Sequence, residues 1–279
     1  MKSILNPQEL LRLKDATNLV LVDARTGPDA REKYEAEHLA GALFVDLEEE
    51  LANKKPDAAE GGRHPLPDIE KFAQVLGLLG ITPESHVVVY DDKNGANAAA
   101  RFWWMLRAIG HASVQVLDGG YQAALEAGFP SSAGSEKVVA APSYPQKGWQ
   151  LQTVAIDEVD KIREDANYLV IDVREGFRYR GEREPIDLIA GHIPGAVNIP
   201  FAGNLDANGF FLPPDKLKAK YTAALENHEP GNVVVHCGSG VTACHTLLAM
   251  DYAGLNIPKL YVGSWSEWSR NDRPMATQE

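Results

Sequence analysis

Residues 233–246 read VVVHCGSGVTACHT, and the reading of this stretch decides the fold. Three valines and a histidine make a short apolar strand. Gly238, Ser239 and Gly240 make a tight turn, and helical spacing follows. One thiol, Cys237, stands at the turn, where several backbone N–H groups and the positive end of a helix converge. Both effects favour thiolate over thiol, which gives Cys237 the setting of a nucleophile. A cysteine after a strand otherwise serves as a small buried hydrophobe. Here the small residues that follow open space above the thiol instead of filling it.

Working outward, the chain is written twice. LVLVDAR (19–25) followed by EHLAGALFVD (37–46) corresponds to YLVIDVR (168–174) followed by AGHIPGAVNIP (190–200). HVVVYDD (86–92) corresponds to NVVVHCG (232–238), and VLDGGYQAAL (116–125) to LYVGSWSEW (260–268). Each copy alternates Val/Ile/Leu-rich runs with amphipathic stretches, the pattern of βα units around a parallel sheet flanked by helices. The class is therefore α/β, in two tandem domains. A polar run marked by Pro and Gly over 131–148 separates the copies. The boundaries expected are 1–135 for the first domain, 136–150 for a linker that wraps one domain around the other, and 151–279 for the second. Asn6-Pro7 opens the first helix, and Thr153 is expected to precede its counterpart. Trp103, Trp265 and Trp268 are assigned to packing between the domains.

The copies are chemically unequal, because Asp91 stands where the second copy has Cys237. A thiolate is a soft nucleophile towards sulfur and a carboxylate is not. The second copy is therefore the active one, and the first supplies a cleft wall.

The formal charge of −12 argues against a nucleic-acid surface, and no basic run suits an anionic membrane. An anionic substrate must then be met by a local cluster of Arg or Lys. No apolar run is long enough to span a bilayer, and the N-terminal stretch lacks a signal-peptide core. Two cysteines, at 237 and 244, give neither a disulfide framework nor a zinc spacing. A reducing, cytoplasmic setting with no metal and no cofactor is expected.

The doubled unit, GHIPGA (191–196), CGSGVTA (237–243) and YVGSWSEW (261–268) resemble the two-domain rhodanese-type sulfurtransferases over nearly the whole chain. CGSGVTA is similar to the active-site loop of the 3-mercaptopyruvate enzymes. Thiosulfate-preferring members tend to place basic residues directly after the cysteine, where this chain has Gly238 and Ser239. The resemblance implies transfer of a sulfane sulfur from a small anionic donor, through a Cys237 persulfide, to cyanide or a thiol, either small or on a thioredoxin-like protein. Thiosulfate as donor is the alternative, and a non-catalytic binding module is a further one that retention of Cys237 weighs against. The chain departs from the family at Ala40, at Val262 and at Ile186, where a second arginine is usual ahead of GHIPGA.

The catalytic set expected is Cys237, Ser239 and Thr242. Ser239 either satisfies the turn or relays a proton, and Thr242 either caps the helix beginning near Val241 or bonds the thiolate. Gly238, Gly240 and Val241 line the substrate through their backbone N–H groups. By family position Arg178 is the anion clamp, with Arg183 as the candidate replacement for the missing arginine. His64, in GGRHPLP (61–67), matches a family histidine that faces the cleft, with Glu48 as its possible partner. His38 and His192 recur in both copies and are assigned to bracing the fold, while Asp172 and Arg174 end the preceding strand and are assigned to bracing the active-site loop by an internal ion pair.

Two rivals fail on single positions. A cysteine phosphatase needs Arg six residues beyond the thiol, and Ala243 is there. G-x-G-x-x-A (238–243) suggests a dinucleotide turn, but KLYVGS (259–264) carries no acid for a ribose.

Overall fold

A computed structural model describes residues 1–226 and 228–278. The chain divides into two units: 1–52, 67–150 and 207–211 form one, and 53–66, 151–206 and 212–279 form the other. Each unit thus includes a short segment from the far half of the sequence.

Both units are built on a five-stranded, all-parallel sheet. In the first the order is Ile4–Leu5, Val114–Leu117, His86–Tyr90, Leu19–Asp23, Ala42–Phe44. In the second it is Thr153–Val154, Lys259–Tyr261, Val233–His236, Leu169–Asp172, Val197–Asn198. The two orders are the same element for element, as the repeat requires. His86–Tyr90 and Val233–His236 are the central strands, and all of Val233–His236 is buried. A parallel strand covered by helices loses solvent on both faces, which is why these segments are continuous valine runs.

The repeat extends to side chains. Asp23 holds Arg25 at 2.6 Å, and Asp172 holds Arg174 at 2.5 Å. Tyr34 stacks on His38 with ring centroids 4.1 Å apart, as Tyr179 does on His192 at 3.7 Å. Each histidine bonds the carbonyl of its tyrosine, and each tyrosine hydroxyl donates to the carbonyl of Ala42 or Ala196. These four residues brace the strand–turn junction in both copies, so the histidines hold structure.

Asn6 caps the helix Pro7–Leu13 in a full capping box with Glu9. Thr153 precedes its helix as expected, but not as its cap. It is paired in an edge strand with Leu260, and Ala155 occupies the N-cap of Ile156–Ile162. Trp265 and Trp268 lie within the second unit's own core beside Val234 and Tyr261. Trp103 is fully buried on the helix Ala98–Ala108 of the first. Trp265 and Trp268 therefore serve the second unit's interior, because their ring areas are worth most where burial is complete. No helix among the described residues is long and apolar enough to cross a membrane.

Candidate active site

Cys237 follows the central strand of the second unit, at the carboxyl end of the sheet, where open α/β sheets bind ligands. Its side chain is buried. Its backbone is fastened to the element Ser264–Trp268: the Cys237 N–H donates to Ser264 Oγ at 3.2 Å, and the N–H of Trp265 donates to the Cys237 carbonyl at 3.0 Å. The N–H of Ser266 adds a bond to the Gly238 carbonyl at 2.8 Å. In the first unit Tyr121 makes the same bond to the Asp91 carbonyl, also at 3.0 Å.

In the first unit the corresponding loop cradles a carboxylate. The Asp91 carboxylate, fully buried, accepts from the N–H groups of Lys93, Gly95, Asn97 and Ala99 at 2.8–3.3 Å. Burial pushes its carboxyl up to about 6 against the pull of those four donors. The helix after Cys237 begins at Ala243, two residues later than expected. Thr242 sits at its N-cap position in helical conformation and makes no side-chain capping bond.

Gly240 has φ +73°, and a Cβ there would collide with the carbonyl oxygen of Val262. Gly240→Ala is therefore expected to destabilise the second unit by about 3 kcal/mol, from left-handed strain plus overpacking. A shifted denaturant midpoint at unchanged slope would show it, and an unshifted midpoint would mean the turn relaxes freely.

Ser239 and His64 meet. His64 Nδ1 lies 2.8 Å from Ser239 Oγ, and both residues are buried. The loop that carries His64 is tied to the same element as Cys237: Gly61 N–H donates to Glu267, Arg63 N–H to Ser266 Oγ at 3.0 Å, and Asn271 to the Ala59 carbonyl.

Charges gather beside Gly238, the residue after the thiol. A Cβ on Gly238 would lie 3.2 Å from Nη2 of both Arg178 and Arg63, and 3.3 Å from Asp187 Oδ2. Asp187 receives Arg63, Arg178 and Arg270 at 3.0, 3.3 and 3.4 Å. Arg178 is buried and also bonds Glu184, which Arg174 reaches at 3.3 Å. Burial works against the charge of Glu184, yet Arg178 and the N–H groups of Asp187 and Ile186 hold its carboxyl below the usual range. Arg183 is elsewhere: it is exposed, with its guanidinium over the Phe177 ring at 5.0 Å. Ile186 is exposed. The second guanidinium at the loop thus comes from Arg63, which sequence reasoning missed together with Asp187 and Arg270. Its position directly before His64 was the only available signal.

His236, ahead of the thiol, is buried and its pKa is depressed by desolvation, so it adds no charge. Among the described residues no group of three or more His, Cys, Asp or Glu could hold a metal ion.

The rhodanese-like domain family matches residues 6–127 and 155–271. A probable 3-mercaptopyruvate sulfurtransferase of Pseudomonas aeruginosa is 39% identical over 280 residues, covering 98% of each chain. A thiosulfate sulfurtransferase of Rattus norvegicus is 35% identical over 256 residues, 88% of this chain and 82% of that one. The structure of 3-mercaptopyruvate sulfurtransferase from Leishmania major superposes with a TM-score of 0.85 at 30% identity, over 98% of this chain and 75% of that one.

Proposed function

The chain belongs to the family of two-domain rhodanese-type sulfurtransferases, and from that premise we propose that it takes the thiol sulfur of 3-mercaptopyruvate onto Cys237 as the outer sulfur of a persulfide and passes it to a thiol or to cyanide. The thiolate attacks the donor sulfur, and the new S–S bond forms as the carbon–sulfur bond breaks. The electron pair passes to carbon and gives the enolate of pyruvate. An acceptor thiolate then attacks the outer sulfur, and the Cys237 thiolate departs as leaving group. Thiolate and persulfide anion need the same N–H donors from the 238–242 turn, the service the twin loop performs for Asp91.

The hydrogen bond between Ser239 and His64 carries the choice of donor. An enolate leaving group needs a proton as it departs, and sulfite leaving from thiosulfate does not. A hydroxyl on the residue two beyond the thiol, backed by an imidazole, is suited to deliver that proton. Two buried cysteines outside any disulfide fit a reducing, cytoplasmic setting.

The test is kcat/KM for both donors with one acceptor, with intact mass read after donor alone. The expected result is a gain of one sulfur, about 32 Da, and at least tenfold preference for 3-mercaptopyruvate. A tenfold preference for thiosulfate would replace the donor and keep the persulfide. No mass gain from either would end the transfer reading.

A further inference from the structure

Lys220 is a half-buried amine that the sulfur chemistry does not use. It lies on the helix Pro214–Leu225 of the second unit. Its Nζ donates to Asn204 Oδ1 at 2.8 Å and sits 5.0 Å from the centre of the Tyr221 ring. A Cβ on Gly203 would lie 3.1 Å from Nζ and 3.9 Å from Cε, so the amine rests on the backbone of the turn Phe201–Asn204. Asn204 is fully buried, and its neighbours fix which end of its amide faces the lysine. Oδ1 also accepts the Tyr221 hydroxyl at 2.5 Å, while Nδ2 faces Thr246 Oγ1 and His245 Nδ1, both at 3.4 Å. Among the described residues no carboxylate lies within ion-pair distance of Lys220, whereas Lys14, Lys33 and Lys259 each have one.

An ammonium carries three N–H donors, and here the protein offers it one acceptor, a neutral amide oxygen already shared with Tyr221. A cation half out of water with no counter-charge is relieved by losing its proton. The neutral amine keeps the bond to Asn204 with one N–H and is left with a free lone pair. We propose that Lys220 is a modification site, an amine that takes the acyl group of a small thioester. The nitrogen lone pair attacks the thioester carbonyl carbon, the carbon–nitrogen bond forms and the carbon–sulfur bond breaks. The thiolate leaves with the electron pair, and the surplus proton on nitrogen passes to water. The amide that results retains one N–H, so the bond to Asn204 Oδ1 survives and no buried polar atom is orphaned. A formal charge of −12 disfavours an anionic acyl phosphate and suits a donor that is uncharged at its reacting end. Desolvation brings the Lys220 ammonium down from 10.5 to about 8, so much of it is amine near neutral pH, where an unperturbed lysine is roughly one part in a thousand amine. Lys216 and Lys218, exposed on the same helix, are internal controls.

The test treats the wild-type protein with N,S-diacetylcysteamine, a small uncharged thioester, over a range of pH. Hydroxylamine then strips any acetyl group held on sulfur, and peptide mass spectrometry reads acetylation at each lysine. Near neutral pH Lys220 is expected to react about fivefold or more faster than Lys216 and Lys218, because the gain in amine fraction, about a hundredfold, exceeds the loss of intrinsic nucleophilicity. Its rate should level off above about pH 8, while theirs continue to climb with pH. Asn204→Asp puts a carboxylate where the amide oxygen was, which pairs the ammonium and should slow Lys220 about tenfold while leaving the two controls unchanged. The wild-type pH profile decides the matter even where that variant does not fold. A Lys220 rate no greater than those of Lys216 and Lys218, or one that rises in parallel with theirs through about pH 10, would overturn the assignment.

Discussion

Serine at position 237 is expected to lower sulfur transfer by about 10⁴-fold to 10⁶-fold while the protein stays folded, the scale seen when a nucleophile is removed from an intact site. The backbone that places this side chain is held by Ser264 and Trp265, and neither bond involves the thiol. Serine fills nearly the same volume in a buried position, so the packing term is small. What changes is the nucleophile: a hydroxyl attacks sulfur far more weakly than a thiol group does. Intact mass after donor decides the result. A sulfur retained on Cys237→Ser would have to sit on Cys244, which is fully buried with its Sγ 3.4 Å from the Gly240 carbonyl. That finding would move the nucleophile and reopen the assignment of the loop.

The repeat makes much of this legible in the sequence alone. Matching HVVVYDD to NVVVHCG placed Asp91 against Cys237, and the structure puts each at the end of the central strand of its own unit's sheet. Valine-rich parallel strands and paired motifs are local signals, so they survive without tertiary information. The charged cluster beside Gly238 is different in kind. Arg63 and Asp187 are 124 residues apart in sequence, and His64 and Ser239 are 175 apart. They meet because residues 53–66 join the second unit, where Gly61 and Arg63 bond to the helix Ser264–Trp268 and Ala59 to Asn271 just beyond it. No periodicity encodes such a contact. The same limit explains Arg178, which family position marks as a clamp but whose carboxylate partners become visible only when the 184–187 turn is seen folded over it. Thr153 shows a smaller version: strand pairing with Leu260 overrides its N-cap preference.

Those partners lead to the second large effect. Arg178→Ala is expected to destabilise the second unit by about 3 kcal/mol, near the lower end for breaking a buried ion pair. Glu184 and Asp187 have side chains 3% and 0% exposed, so neither regains water when the guanidinium is gone. Asp187 keeps Arg63 and Arg270, and Glu184 keeps Arg174 and two backbone donors, which holds the loss below the full penalty. The pH dependence follows from Glu184. Its folded pKa lies below the ordinary 4.5, so its contribution is present above 4.5 and is lost as pH falls through the folded value. In the variant its pKa rises, because burial then acts with less opposition. The stability gap between wild type and Arg178→Ala should therefore be full near pH 7 and narrow below about pH 4.5 as Glu184 takes a proton. Denaturant midpoints across that range, with Glu184→Gln alone and combined, complete the cycle. In the Arg178→Ala background, Glu184→Gln should cost less than it does in wild type, because the buried charge it removes has already lost its main partner. Strict additivity would mean that Arg178 and Glu184 do not act together, and the account of the Glu184 carboxyl as held down by Arg178 would fall with that result.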